Sequence, residues 1–271
     1  MSFLGSIRAY VQFARCAFQR RAAYRLANWT GIAVNFFFFL IHAQLFLALF
    51  GTRGAVAGWQ AQDAVRYFAT SEALLMVLGV MSTQTGLEFA ERIRSGDIAV
   101  DLVRPVRLWA RYLAESYGAA AYYALMRASI LYVAAVALYG LALPRNVEVL
   151  LAPLSIALGV AIASTLMYLA SASAFWTEQA HGPLSMLLIA IFFFGGIAVP
   201  LDFYPAPARL LADFLPFRGA VYTPVALASG KLSGAPLLFG VLHQIGWLGV
   251  LVLLAQRMER RGAAHLAVQG G

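Results

Sequence analysis

The sequence is poor in three things: it has one cysteine, Cys16, one lysine, Lys231, and only 12% charged residues among 271. A single thiol cannot close an internal disulfide, which excludes a disulfide-stapled secreted scaffold. An average soluble domain is about 25% charged and about 45–50% apolar, whereas here the apolar share is 62%. With a mean hydropathy of +0.75, there is too little polar surface to cover a soluble globule. An ordinary soluble enzyme and a disordered chain are both excluded.

Catalytic signatures are missing too. No G-x-x-x-x-G-K-[ST] occurs: the one Gly-Lys pair, Gly230-Lys231, is followed by Leu232 and lacks the upstream glycine. Nucleotide binding through a P-loop is therefore not expected. H-E-x-x-H is absent, and Glu178-x-x-His181 is a single E-x-x-H where a di-iron bundle needs two and further carboxylates. Ser164, Ser171 and Ser173 lack the glycine-flanked setting of a nucleophile that His243 would activate. His243 beside Gln244 reads instead as an interhelical hydrogen-bonding pair. No catalytic residue, metal or cofactor is expected in this chain.

What the chain has in quantity is apolar runs. A bilayer core of about 30 Å needs roughly 20 apolar residues in a helix. Such runs cover residues 29–50, 67–89, 108–141, 147–175, 183–199 and 236–256. Only helices or closed barrels satisfy the backbone in lipid, and no barrel-like alternation is present. The expected fold is an all-α membrane protein with six transmembrane helices. It forms a single transmembrane domain over 1–271: an interface helix at 1–27, a six-span bundle at 28–256 and a tail at 257–271. The first run begins too late and lasts too long for a signal peptide.

The charges orient this bundle. Thirteen of the 20 basic residues fall on one side: Arg8, Arg15, Arg20, Arg21 and Arg25 before the first run, Arg92, Arg94, Arg104, Arg107 and Arg111 between the second and third, and Arg257, Arg260 and Arg261 after the last. The other side carries Arg53, Arg66, Arg145, Arg209, Arg218 and Lys231, and Arg127 falls within a run. The positive-inside rule places both termini in the cytoplasm. The net charge of +8 then has membrane lipid as its partner rather than nucleic acid, because no basic stretch is free of apolar runs.

Three segments do not span. Residues 3–24 carry Phe3, Ile7, Tyr10, Val11, Ala14 and Phe18 at helical spacing opposite Arg8, Gln12, Arg15 and Gln19. This is the pattern of an amphipathic helix lying in the membrane interface; the plainer alternative is a basic anchor. Between the second and third runs, Gly96 breaks a helix and Asp97 is placed to cap a short one. Ile98, Leu102 and Val103 would share a face of that short helix, and Pro105 would stop it. The plainer alternative is a charged loop. Residues 200–224 hold five of the ten prolines, and the pieces between them are too short to cross. They would form short helices re-entering the outer leaflet, or lie flat upon it.

Charge within a membrane points to function by default. Arg127 lies mid-run, and Glu72 lies in the second run at a depth differing by roughly 12 Å at 1.5 Å per residue. The two could pair across that distance or line a polar route. Phe37, within the run Phe36 to Phe39, offers an aromatic wall to an apolar substrate or packs against lipid.

This layout resembles the permeases of type-2 ABC exporters. The stretch Ile93-Arg94-Ser95-Gly96-Asp97-Ile98 through Leu102-Val103-Arg104-Pro105 is similar to the I-x-S-G…L-x-R-P signature of the branch that includes daunorubicin-resistance-type permeases. The resemblance implies the membrane-spanning subunit of an ATP-driven exporter. Two permease copies, identical or paralogous, would pair with two separate ABC ATPase subunits that carry the ATP-Mg. It also implies that Arg92, Arg94, Ser95, Gly96, Asp97, Ile98, Asp101, Leu102 and Arg104 form a coupling helix against the ATPase, and that spans one, two and five line the path, where Phe37, Glu72 and Arg127 are candidates. The location implied is the inner or plasma membrane of a prokaryote. The alternative is a proton-coupled secondary transporter using Glu72 or Arg127 as a relay.

Overall fold

The computed structural model describes residues 3–56, 58–79, 83–103, 106–144, 146–177 and 180–269. Among the described residues, helix accounts for 85% and no strand forms. Among the described residues, four stretches are long and apolar enough to cross a bilayer: Leu26–Gly51, Leu108–Tyr139, Val147–Phe175 and Gly234–His265. The first lies in α2 (Arg25–Arg53). The second joins α6 (Leu108–Tyr123), a π turn (Ala124–Ala128) and α7 (Ser129–Tyr139) end to end. The third is built on α8 (Ala152–Ala172), and the fourth lies in α12 (Gly234–Gln269).

The run expected at 67–89 is not one helix. It divides into α3 (Ala61–Val77) and α4 (Thr83–Arg94), because the chain turns at Leu78 and Gly79, where Gly79 takes φ +69°. A hydropathy run hides such a break: glycine is nearly neutral in hydropathy yet free to leave the helical region. The run at 183–199 is cut short in the same way. Helix α9 (His181–Phe194) is 14 residues long, about 21 Å at 1.5 Å per residue, and gives way to a turn at Gly195 and Gly196.

The proline-rich segment resolves into short pieces: a 3-10 turn (Leu201–Phe203), α10 (Ala206–Phe214), a π turn (Arg218–Tyr222) and α11 (Thr223–Ala228). Its two halves behave differently. Helix α10 leaves Leu210 and Phe214 exposed, whereas residues 218–227 are buried throughout. That second half packs against α8. One half is thus packed into the bundle and the other is left on its surface.

Helix α8 is the centre of the bundle, touching α4, α6, α9, α11 and α12. Its face toward α12 carries a polar lock. The Ser155 hydroxyl donates to Gln244 Oε1 at 2.9 Å, while Gln244 Nε2 donates to the carbonyls of Ser155 at 3.0 Å and Gly219 at 2.8 Å. Of the expected pair His243 and Gln244, it is Gln244 that makes these interhelical bonds. Buried away from water, each of its polar atoms needs a partner, so three elements are held in one register.

Helix α1 (Phe3–Ala23) lies along α6. The face it packs is Tyr10, Phe13, Ala14, Ala17 and Arg21, while Ile7 and Val11 stay exposed beside it. The apolar arc is therefore split: one sector meets protein and the next faces outward. The approach is very close at Gly118, where a Cβ would lie 2.0 Å from the Ala14 carbonyl oxygen.

Candidate coupling site

The charged segment between α4 and α6 folds into a compact strap at one end of the bundle. Gly96 adopts φ +80°, a left-handed conformation that ends α4. The five-residue helix α5 (Ile98–Leu102) follows. Arg104 and Pro105, which belong to the same expected segment, lie outside the described residues, as do Arg145 and Glu178.

The expected capping role of Asp97 is not realised. Its backbone is already helical, and it makes no side-chain cap bond to α5; instead the Ser95 hydroxyl donates to its carboxylate at 2.8 Å. A five-residue helix with a helical residue before it offers no extended cap position for the carboxylate to turn back from. The expected apolar face also divides differently. Ile98 is fully buried and Leu102 half-buried, whereas Val100 and Val103 point outward, 58% and 84% exposed.

Asp101 is the anchor. Its side chain is buried, and it accepts hydrogen bonds from Arg92 on α4 and from Arg111 on α6, the latter at 2.6 Å. Arg111 is fixed in turn by Glu115, one helical turn on, at 2.9 Å. One carboxylate thus joins α5 to both neighbouring helices through charge-assisted bonds. Arg94 forms a two-point pair with Glu91 on the exposed side, and its hydrogen bond holds the Glu91 carboxyl below the usual value.

A second tie comes from the far end of the chain. Glu259 on α12 accepts from the backbone N–H groups of Leu108 at 3.1 Å and Trp109 at 3.4 Å. These are free donors of the first turn of α6, and a carboxylate there also meets the positive end of the helix. Sequence reasoning missed Arg111 and Glu259 because their partners Asp101, Leu108 and Trp109 lie outside their own local spacing; the i,i+4 pair of Arg111 and Glu115 was the one local mark available. Beside the strap, α4 and α9 enclose a cleft of about 1130 Å³ edged by Glu88, Glu91, Arg92, Arg94 and His181.

The three residues expected along a path do not come together. Glu72 is buried with His42, whose Nδ1 lies 3.4 Å from its carboxylate, and His42 stacks on Phe68 at 4.6 Å. Arg127 points elsewhere, donating to Asn28 Oδ1 at 2.7 Å and to the Ala27 carbonyl at 2.9 Å. It sits in the π turn, and such single-turn widenings recur at functional sites. Phe37 is 60% exposed on an outward stripe of α2 with Val34, Ile41 and Leu45.

A bundle of long apolar helices, carrying a short charged helix braced across one end, is the architecture of a multi-pass membrane protein. Residues 32–270 match the family model described as ABC-2 family transporter protein. The match covers most of the chain, which belongs to the ABC-2 family, whose members are membrane components of transport systems. No curated protein matches the sequence.

Proposed function

We propose that this chain is the permease of an ATP-driven exporter, assembled as two permease copies, identical or paralogous, with two separate ATPase subunits that hold the ATP-Mg. The observation that carries the reading is the bracing of α5. This short helix is tied to both of its neighbours, α4 and α6, and it turns Val100 and Val103 outward. Closure of the ATPase dimer would press on that outward face. Asp101 would then pass the displacement to Arg92 and Arg111, and so to α4 and α6 together.

In this reading the six crossings are α2, the α3–α4 pair, α6 with α7, α8, α9 with its following turn, and α12. Residues 1–27 lie in the interface, 28–256 form the bundle, and α12 projects beyond it toward the cytoplasm. Both termini are cytoplasmic in a prokaryotic inner or plasma membrane, which the arginine count supports. The I-x-S-G…L-x-R-P stretch favours the daunorubicin-resistance-type branch. The contact set is Arg92, Arg94, Ser95, Gly96, Asp97, Ile98, Leu102 and Arg104 about the Asp101 anchor, with Val100 and Val103 added. Phe37 faces the path between two copies with Glu72 behind it, and Arg127 borders it from the corner near α1. Family membership supports this reading over the proton-coupled alternative.

The test is co-purification with an ATPase encoded beside this chain. Val103→Asp places a charge on a side chain that is 84% exposed, so the fold tolerates it. The variant is expected to be made at normal level yet to lose the ATPase and transport-coupled hydrolysis. Retention of both would overturn the assignment of α5.

A further inference from the structure

Where α1 turns into α2, a cavity of about 310 Å³ opens among Arg20, Arg21, Tyr24, Glu88, Tyr123 and Arg127, within the size range of small-molecule sites. Its electrostatics are unbalanced, with three guanidinium groups and one carboxylate. Glu88 takes its hydrogen bond from Gln84 at 3.3 Å. Arg20 reaches Glu115 only at 4.0 Å, and Glu115 is engaged by Arg111. Arg127 has only neutral partners: the Asn28 amide, the Ala27 carbonyl and the Tyr123 ring, over which its guanidinium sits at 4.8 Å. Arg21 shares that ring at 5.9 Å and donates to the Thr85 hydroxyl at 2.9 Å, while its Nε is buried without a partner.

Among the described residues, no carboxylate comes within ion-pair distance of Arg21 or Arg127. At the opposite end of the molecule three cations have carboxylate partners, Arg209 with Asp202, Arg218 with Asp213 and Lys231 with Asp63. Arg66, which reaches only the Ser229 carbonyl, stands alone there rather than beside a second such arginine. Two like charges gathered on one tyrosine ring in a half-dry cavity need an anion from outside the chain. The mouth shows which kind. Tyr24, Leu26 and Trp29 stand exposed beside it, at 66%, 82% and 61%. Aromatic rings at the end of a membrane helix mark the headgroup level, and an apolar wall running away from the cavity suits acyl chains. A free anion would need neither.

We propose that this cavity binds the phosphate of an anionic phospholipid, with Arg21 and Arg127 as its ligating side chains and Arg20 at the rim. The proposal rests on the membrane placement given above, and not on the ATPase partnership. The bound phosphate would tie α1, α2, α4 and the π turn of the third span at one point.

Purified full-length protein in detergent, mixed with phosphatidylglycerol or phosphatidylcholine and read by native mass spectrometry, tests it. The expected result is retention of phosphatidylglycerol over phosphatidylcholine. Arg21→Gln and Arg127→Gln should each weaken that retention about tenfold, the scale of one lost charged hydrogen bond. Arg257→Gln/Arg261→Gln removes two exposed charges from the end of α12 and should leave it unchanged. Arg21 lies at the edge of the cavity, so its variant stays folded and monodisperse even where the Arg127 variant does not. Equal retention of the two lipids, full retention by Arg21→Gln, or an equal loss in the α12 double variant would overturn the proposal. So would displacement of the lipid by millimolar inorganic phosphate, which would mark a free-anion site. Failure here leaves co-purification with the ATPase unaffected, so the two readings fall separately.

Discussion

Asp101 shows how much one side chain carries in this chain. It is buried against two arginines that are themselves partly exposed, at 36% for Arg92 and 21% for Arg111. Solvent screening at those partners reduces the value of the pair below that of a fully buried one. Asp101→Asn keeps the shape and one acceptor oxygen but removes the charge. It should cost about 1.5 kcal/mol, the lower end of the range for hydrogen bonds to charged groups because its partners are partly screened, seen as a lower melting temperature in detergent. The sharper expectation is functional: the variant should still bind the ATPase through Val100 and Val103 but hydrolyse ATP without transport. Coupled transport at wild-type rate in Asp101→Asn would mean that the brace transmits nothing. The sequence announced that Asp101 belongs to a charged turn, but not that it is the hub. Its bond to Arg111 crosses a turn and a proline, and nothing in the spacing of those two residues marks it.

At the scale of elements, the amphipathic reading of α1 placed the helix correctly and its face only in part. The sequence pattern separates apolar from polar, and both a protein groove and a lipid layer are apolar. Only the fold distinguishes Ala14 and Ala17, which meet α6, from Ile7 and Val11, which do not. The glycine opposite decides the matter. Gly118→Val would bring a Cβ to 2.0 Å from the Ala14 backbone oxygen, a clash that no rotamer change relieves, so α1 must leave α6. Limited trypsin digestion should then cut at the exposed Arg8 and Arg15 markedly faster than in wild type, with the rest of the bundle intact. Unchanged cleavage would show that α1 is held by contacts other than this groove. The divided second run has a related lesson. Hydropathy averages over Gly79 and over the polar stretch that opens α4, so it reports where apolar mass lies and not where the backbone turns.

At the scale of the whole molecule, composition points to the solvent and arginine placement to the proposed orientation, yet neither can show which charges are already satisfied. The structure separates them. On the proline-rich side, Arg209, Arg218 and Lys231 pair with aspartates of the same chain, while Arg66 reaches only the Ser229 carbonyl. On the other, the arginines brace α5 or face a cavity without a carboxylate of their own. That asymmetry fits a protein whose one end is self-contained and whose other end meets lipid and a partner. It requires the proposed orientation, and the chain carries its own probe. Cys16 is the only cysteine and is exposed on α1. A membrane-impermeant maleimide should leave intact cells unlabelled and react in inverted vesicles. Cys16→Ala/Ala206→Cys moves the thiol to exposed α10, and the pattern should reverse, with labelling in intact cells. Labelling of Cys16 from outside would invert the bundle, taking α5 away from any cytoplasmic ATPase. Labelling of both positions from one side would instead require an odd number of crossings between them to be wrong, and with it the pairing of α3 with α4 as one span.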